Sequence, residues 1–392
     1  MEETKKYKIV YVTPGLYMAG GVERVLTLKA NYFAEQFGYD ITIVLTEGKD
    51  KPYFYPLSSK VKVINLDLNF EELWTCSFLK KILVYLPKQR RFKKLLTEQL
   101  MQIRPDFTIS LLRREINFIN DIKDGSRKIG ELHVNRIHYR KVEGSRANFV
   151  VRLFEYFWMK NLVCHLRHLD KFVVLTNNDR IAWSELKDVD IIPVPLSFSP
   201  DMISPLTEKR IISVGRYHNQ KGHDLLLKAW KIIEMRYPDW ELSIFGQGDR
   251  TPYQAMAKDM DIDMNRCKMY VQTLDIQKEY SNSSIFVLSS RYEGFGMVLI
   301  EAMACGLPCV SFDCPYGPSD IIKDGEDGYL VEYLNVQALA EGICRLIEKP
   351  ELRKTFGENG RNNVLRFSLE NVMQQWVNLF ESLTRKDDSN DQ

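Results

Sequence analysis

Several common signals are missing from these 392 residues, and each absence narrows the reading. No stretch of about 18 apolar residues occurs, so no membrane-spanning helix is expected. The opening, MEETKKYKIVYVTPG, is acidic and then basic with only a strand-length apolar run, which is not a secretory pattern. There is no internal repeat, and no low-complexity segment apart from the polar tail RKDDSNDQ. Closely paired cysteines are also missing. The seven are Cys76, Cys164, Cys267, Cys305, Cys309, Cys314 and Cys344. An odd number without a leader reads as free thiols in a reducing compartment. Cys305, Cys309 and Cys314 lack the spacing of metal ligands, so they are expected to pack. No G-x-G-x-x-G occurs near the N-terminus, where the glycines are Gly15, Gly20 and Gly21; Glu47 also falls at the wrong spacing for a ribose-binding acid. A nicotinamide-binding reading is therefore weak. No nucleic-acid-binding module is recognisable.

What is present suits a globular protein. Apolar residues make up 45% and charged residues 27%, and the length suggests two domains. The net charge of +2 hides an asymmetry. Residues 1–196 hold 32 Lys and Arg against 23 Asp and Glu, a net +9; the remainder hold 22 against 29, a net −7. A basic half points to an anionic partner. The run at 80–94, KKILVYLPKQRRFKK, has seven cations and no acid, with apolar residues interleaved, and 139–168 is similar. Such stretches suit an anionic membrane surface, although a solvated helix face explains them as well.

Short β-rich runs alternate with amphipathic ones along the whole chain. Strands are expected at 7–13, 40–46, 61–66, 107–112, 128–133 and 171–176. Helices are expected at about 22–37, 79–103 and 144–169. Three prolines in IIPVPLSFSP (191–200) exclude helix or central strand, so this reads as a linker. Strands then resume at 209–215, 241–246, 267–271, 285–290 and 308–313, with helices at about 222–236, 336–348, 350–367 and 369–384. Alternating strand and helix means parallel sheets, so the fold class is α/β with two doubly wound domains. Ligands of such sheets sit at the carboxyl ends of strands.

Three loops stand at such ends. SSRYEGFGMVLIEAM (289–303) leaves a buried strand and enters a helix. Its glycines let backbone N–H groups at the helix N-terminus approach a diphosphate. Glu301, expected about two turns into the helix, suits a ribose diol, and Glu293 lies where a group attached to the diphosphate would sit. The plain alternative is a helix cap with two solvated acids. SVGRYHNQKG (213–222) places Arg216 and Lys221 in one loop, suited to a departing diphosphate, although loop cations are often merely solvated. MAGGVERVL (18–26) opens another helix with Gly20 and Gly21.

Together these loops resemble the retaining glycosyltransferases of family four, which have the GT-B fold of two facing Rossmann-like domains with a cleft between them. The resemblance covers nearly the whole chain and is strongest over 209–332, where Glu293 and Glu301 match the E-x7-E motif. It implies a UDP-sugar donor and transfer of a hexose or N-acetylhexosamine to a lipid-linked (polyprenyl-diphosphate) or polysaccharide-precursor acceptor. It implies retention of configuration with no metal and no cofactor, and no Asp-x-Asp at a strand end argues otherwise. Arg216 and Lys221 would hold the diphosphate, and Glu301 the ribose. Glu293 would sit by the sugar, with the backbone of Gly294, Phe295, Gly296 and Met297 around it. Gly20 and Gly21 would face diphosphate and acceptor, and His133 would lie near the donor sugar. Gln272 and Thr273 stand where relatives often carry a glycine beside the base. The implied domains are an acceptor-binding one over 1–195, a nucleotide-sugar-binding one over 196–370, and a helix over 371–392 packing back towards the first. The implied location is cytoplasmic, peripheral on the inner face of the membrane. A non-catalytic GT-B partner binding lipid or nucleotide sugar, and a nucleotide-sugar epimerase of the same fold, are the competing readings.

Overall fold

The structure is a computed structural model and describes residues 5–75, 78–137, 139 and 149–388. Cys76 and the first part of the second basic stretch, within 138–148, lie outside the described residues.

The chain divides into two compact units. The first comprises Met1–Leu175, Asp179–Ile192 and Met373–Gln392; the second comprises Thr176–Asn178 and Pro193–Val372. The strands and helices of the first run β1 (Lys8–Thr13), α1 (Gly21–Gln36), β2 (Asp40–Leu45), β3 (Lys62–Asn65), α2 (Phe78–Ile103), β4 (Phe107–Ser110), β5 (Arg127–Glu131), α3 (Phe149–Leu166), β6 (Lys171–Val174), α4 (Asn177–Ala182) and β7 (Val189–Ile191). Every strand pairing is parallel, in the order β3-β2-β1-β4-β5-β6-β7. β1 reads KIVYVT and is buried after its first residue, as a strand covered on both faces must be.

The second unit runs β8 (Arg210–Val214), α5 (His223–Arg236), β9 (Glu241–Gly246), α6 (Thr251–Asp259), β10 (Cys267–Val271), α7 (Ile276–Ser281), β11 (Ile285–Leu288), α8 (Met297–Ala304), β12 (Cys309–Phe312), α9 (Pro318–Ile321), β13 (Gly328–Val331), α10 (Val336–Glu348), α11 (Pro350–Val364) and α12 (Leu369–Asp388). Its sheet is also parallel, in the order β10-β9-β8-β11-β12-β13. From Met373 onward α12 belongs to the first unit. There Phe380 stacks on Phe107 of β4 at 4.6 Å between ring centres, and Trp376 and Val377 are buried with it.

Both sheets reverse direction beside their first strand. The chain winds outward through β2 and β3, then returns to place β4 on the other side of β1; β8 and β11 repeat this. Loops leaving adjacent strands on either side of a reversal diverge and leave room for a ligand. The loops after β8 and β11 hold the cation pair and Glu293, and the helix that follows the second loop holds Glu301.

Two corrections concern element limits. α8 begins at Met297, so Glu301 lies about one turn into the helix rather than two. β5 ends at Glu131, so His133 stands beyond the strand and not at its last position. Four residues from Met297 to Glu301 make about one turn at 3.6 residues per turn, and at β5 the sequence signal continues past the point where backbone pairing stops.

Candidate functional site

The loop after β8 is folded back on itself. Gly222 adopts φ +63, and a Cβ there would lie 2.0 Å from the Ser289 carbonyl oxygen, so only glycine fits this closing turn. His223, the first residue of α5, is 1% exposed, and its Nε2 lies 3.2 Å from the Gly215 oxygen. Burial lowers its pKa to about 4, so the imidazole is neutral and donates that hydrogen bond. The first and last residues of the loop are thereby tied together.

A second set of bonds ties this loop to the one after β11. Ser289 Oγ donates to the Lys221 carbonyl at 3.0 Å, and the Arg291 amide donates to the Gln220 carbonyl at 2.7 Å. The Arg291 guanidinium grips both oxygens of Asp224 in α5, each at 2.7 Å. Between these fixed loops Lys221 Nζ lies 2.7 Å from Glu293 Oε1, which also accepts from Ser290 Oγ at 2.6 Å. Lys221 and Glu293 are thus in direct contact. Arg216 stands in the same loop as Lys221 but is exposed, and among the described residues no hydrogen bond or ion pair holds its guanidinium.

Gly294, Phe295 and Gly296 follow Glu293 into α8. Gly296 takes φ +104, and no side chain caps the helix, so its N-terminal partial charge is left for another acceptor. Phe295 is buried edge-on against Phe367 at 5.4 Å, which fixes its backbone. Met297 begins the helix and is half-buried. Glu301 is 3% exposed. It accepts from Ser197 Oγ at 2.6 Å and lies 3.4 Å from Tyr280 OH. Ser197 belongs to the proline-rich segment, which therefore delivers a side chain to this acid as well as linking the units. Neither Ser197 nor Tyr280 was foreseen. Ser197 is 104 positions from Glu301, and no local pattern encodes such a pairing.

The remaining predicted residues, Gly20, Gly21 and His133, lie in the first unit at the ends of β1 and β5. Gly20 precedes α1 with extended backbone and no side-chain cap. The Glu23 carboxylate folds back over it, Oε2 standing 1.9 Å from where a Cβ would be. Burial raises the Glu23 carboxyl, opposed by Arg113 and His133 nearby. His133 Nε2 lies 3.1 Å from Glu131 Oε1, and the imidazole is 7% exposed.

The cysteines are packing residues here. Cys305, Cys309 and Cys314 are buried and free of disulfides, and burial raises all three thiols, Cys305 to about 12. Among the described residues no three His, Cys, Asp or Glu side chains gather as metal ligands, and no helix is long and apolar enough to cross a membrane.

Comparison with known proteins adds four findings. The family described as "Glycosyl transferases group 1" matches residues 199–363, the part of the second unit that holds both loops. An uncharacterized glycosyltransferase of Haemophilus influenzae is 31% identical over 378 residues, covering 94% of this chain and 98% of the relative. The poly(ribitol-phosphate) alpha-N-acetylglucosaminyltransferase of Staphylococcus aureus is 30% identical over 263 residues, covering 66% of this chain and 51% of that protein. Among solved structures, S. aureus TarM, crystallised with fondaparinux, alpha-GlcNAc-glycerol and UDP, superposes with a TM-score of 0.72 at 18% identity, over 95% of this chain and 99% of that one.

Proposed function

The chain belongs to the group 1 glycosyltransferases, and from that premise we propose that it moves a hexose or N-acetylhexosamine from a UDP-sugar to a lipid-linked or polysaccharide-precursor acceptor, with retention of configuration and without a metal. The fold is GT-B, with two parallel-sheet α/β domains.

The observation that carries the reading is the Lys221–Glu293 contact held between the loops of adjacent strands β8 and β11, directly before the uncapped end of α8. A diphosphate suits this place for three reasons. Arg216 is unengaged among the described residues, Lys221 is held by its backbone as well as by Glu293 so that its ammonium stays in place, and α8 supplies N–H groups. Glu301, below that end, takes the ribose hydroxyls, oriented by Ser197 and Tyr280. Glu293 lies beside the sugar, and the backbone of Gly294, Phe295, Gly296 and Met297 surrounds sugar and phosphate. In the first unit Gly20 and Gly21 give close backbone approach, and His133 serves the sugar. The bond from the anomeric carbon to the diphosphate oxygen breaks and a bond to the acceptor oxygen forms on the same face. The acceptor proton passes to the departing diphosphate, whose charge Arg216 and Lys221 neutralise.

UDP as carrier and a phosphate-rich acceptor are supported by the names of the S. aureus relatives. An anionic membrane surface suits α2, which exposes Leu83 and Leu86 beside Arg90, Arg91, Lys93 and Lys94, and α3, which exposes Leu153, Tyr156 and Phe157 beside Arg152 and Lys160. The test is UDP release from a panel of UDP-sugars with a membrane extract as acceptor. Release that requires acceptor supports transfer. Sugar isomerisation without acceptor would indicate an epimerase, and no turnover with intact binding would indicate a non-catalytic partner.

A further inference from the structure

Below His133 the first unit buries a charge pair that the transfer reading does not use. Lys29, in the third turn of α1, is 1% exposed, and its Nζ stands 2.7 Å from both oxygens of Glu131, itself 3% exposed. The Trp376 ring of α12 closes over the ammonium, 3.6 Å from Nζ to its centre, and the Tyr11 ring of β1 lies at 5.5 Å. Burial alone would raise the Glu131 carboxyl, but the Lys29 charge and the hydrogen bonds from His133 and Lys29 bring it down to about 2. An ionised carboxylate can only accept, so the Nε2 of His133, 3.1 Å away, carries the hydrogen between them. In the neutral imidazole Nδ1 is then the acceptor, and no side chain among the described residues engages it.

We propose that the Lys29–Glu131 pair, roofed by Trp376, is a positioning device that holds His133 in one tautomer and one orientation, with Nδ1 presented as a hydrogen-bond acceptor. The assignment of that acceptor to a sugar hydroxyl rests on the reading of His133 given above. The physical argument is one of alternatives. Two apolar side chains of the same volume would fill this space without the loss of hydration that a buried ion pair carries. An apolar pair would leave the Nε2 hydrogen without its acceptor, and the ring could turn or change tautomer. A carboxylate kept ionised by a buried cation is a fixed acceptor for that hydrogen and so holds both ring and tautomer. The charged and titratable groups facing His133 are Glu131 from β5, Lys29 and Glu23 from α1, and Arg113 after β4 by way of Glu23; Tyr11 from β1 faces Lys29.

The test uses the whole protein with 15N-labelled histidine, the His133 signals being assigned by their loss in His133→Ala. In wild type the Nε2–H tautomer is expected. The double variant Lys29→Met/Glu131→Leu should stay folded, as a thermal melt would show. Its His133 signals should shift to a tautomer mixture, and kcat should fall on the order of tenfold to a hundredfold with little change in donor KM. Glu131→Gln, which keeps an acceptor for the Nε2 hydrogen, should keep the tautomer, so it serves if the double variant does not fold. An unchanged tautomer in a folded double variant, or a tautomer mixture in Glu131→Gln, would overturn the proposal. The His133→Ala assay separates the two readings. Full transfer activity in that variant, alongside shifted NMR signals in the double variant, would remove His133 from the reaction and leave the positioning device standing.

Discussion

The two units each contain a lysine–glutamate pair at 2.7 Å, and the pairs differ in almost everything but that distance. Lys29 and Glu131 are 1% and 3% exposed, under an aromatic roof. Lys221 and Glu293 are 15% and 6% exposed, at strand ends. The first pair is shut off from water, so its members can answer only to each other and to His133. The second keeps a path to solvent, so an incoming anion can share the lysine. An ion pair in the interior is therefore a fixture, and under the proposed function the same pair at a loop end is a site.

The strongest challenge to this contrast is removal of one member of the sealed pair. Lys29→Met alone should destabilise the fold by about 3–5 kcal/mol, because it strands a buried carboxylate. The double replacement should recover most of that loss in urea unfolding, and equal losses for the single and double variants would break the comparison. Next in size is a pH effect that contrasts the two histidines. His133 shares a carboxylate, whereas His223 bonds only a carbonyl. Its folded pKa of about 4 lies below its ordinary 6.5, so below pH 6.5 the unfolded chain gains a proton that the folded one refuses. Stability from this residue is complete above pH 6.5 and is lost as pH falls, by roughly 3 kcal/mol at pH 4. His223→Gln should flatten that slope in denaturant titrations run between pH 4 and 7.

Lys221→Ala probes the open pair. Transfer should fall about a hundredfold, as when one donor to developing charge is removed. Stability should fall by only about 1 kcal/mol, since Ser290 remains on Glu293 and water can enter. A loss as large as that of Lys29→Met would make Lys221 a structural residue. The smallest effect is expected at Ser197→Ala, which removes one hydrogen bond to Glu301. UDP should bind roughly fivefold more weakly, about 1 kcal/mol, by calorimetric titration.

Much of the fold was legible because burial has a local period. Continuous apolar runs such as KIVYVT and IFVL marked the central strands, and glycines marked the loops that leave them. The outer strands β7 and β13 escaped notice, since VDI and GYLV are too short to show any period. The depth of Glu301 was misjudged although MVLIEAMACG marked the helix from Met297: four residues separate Met297 from Glu301, which is about one turn of 3.6 residues. Glu293, Lys221 and Glu301 were singled out through their place after strands. Ser197, Tyr280, His223 and the Lys29–Trp376 contact carried no signal, because a lone serine, tyrosine or lysine looks the same in a sequence whether solvated or buried.

The sequence alone determined two parallel α/β units, the loops at their strand ends and the residue types those loops offer. Only the tertiary structure decided which lysine meets which glutamate, across 102 residues in one unit and 72 in the other. The reason is that side-chain alternation and helical period act over a few residues. The partner of a charge, and the water left around it, depend on the order in which distant strands assemble.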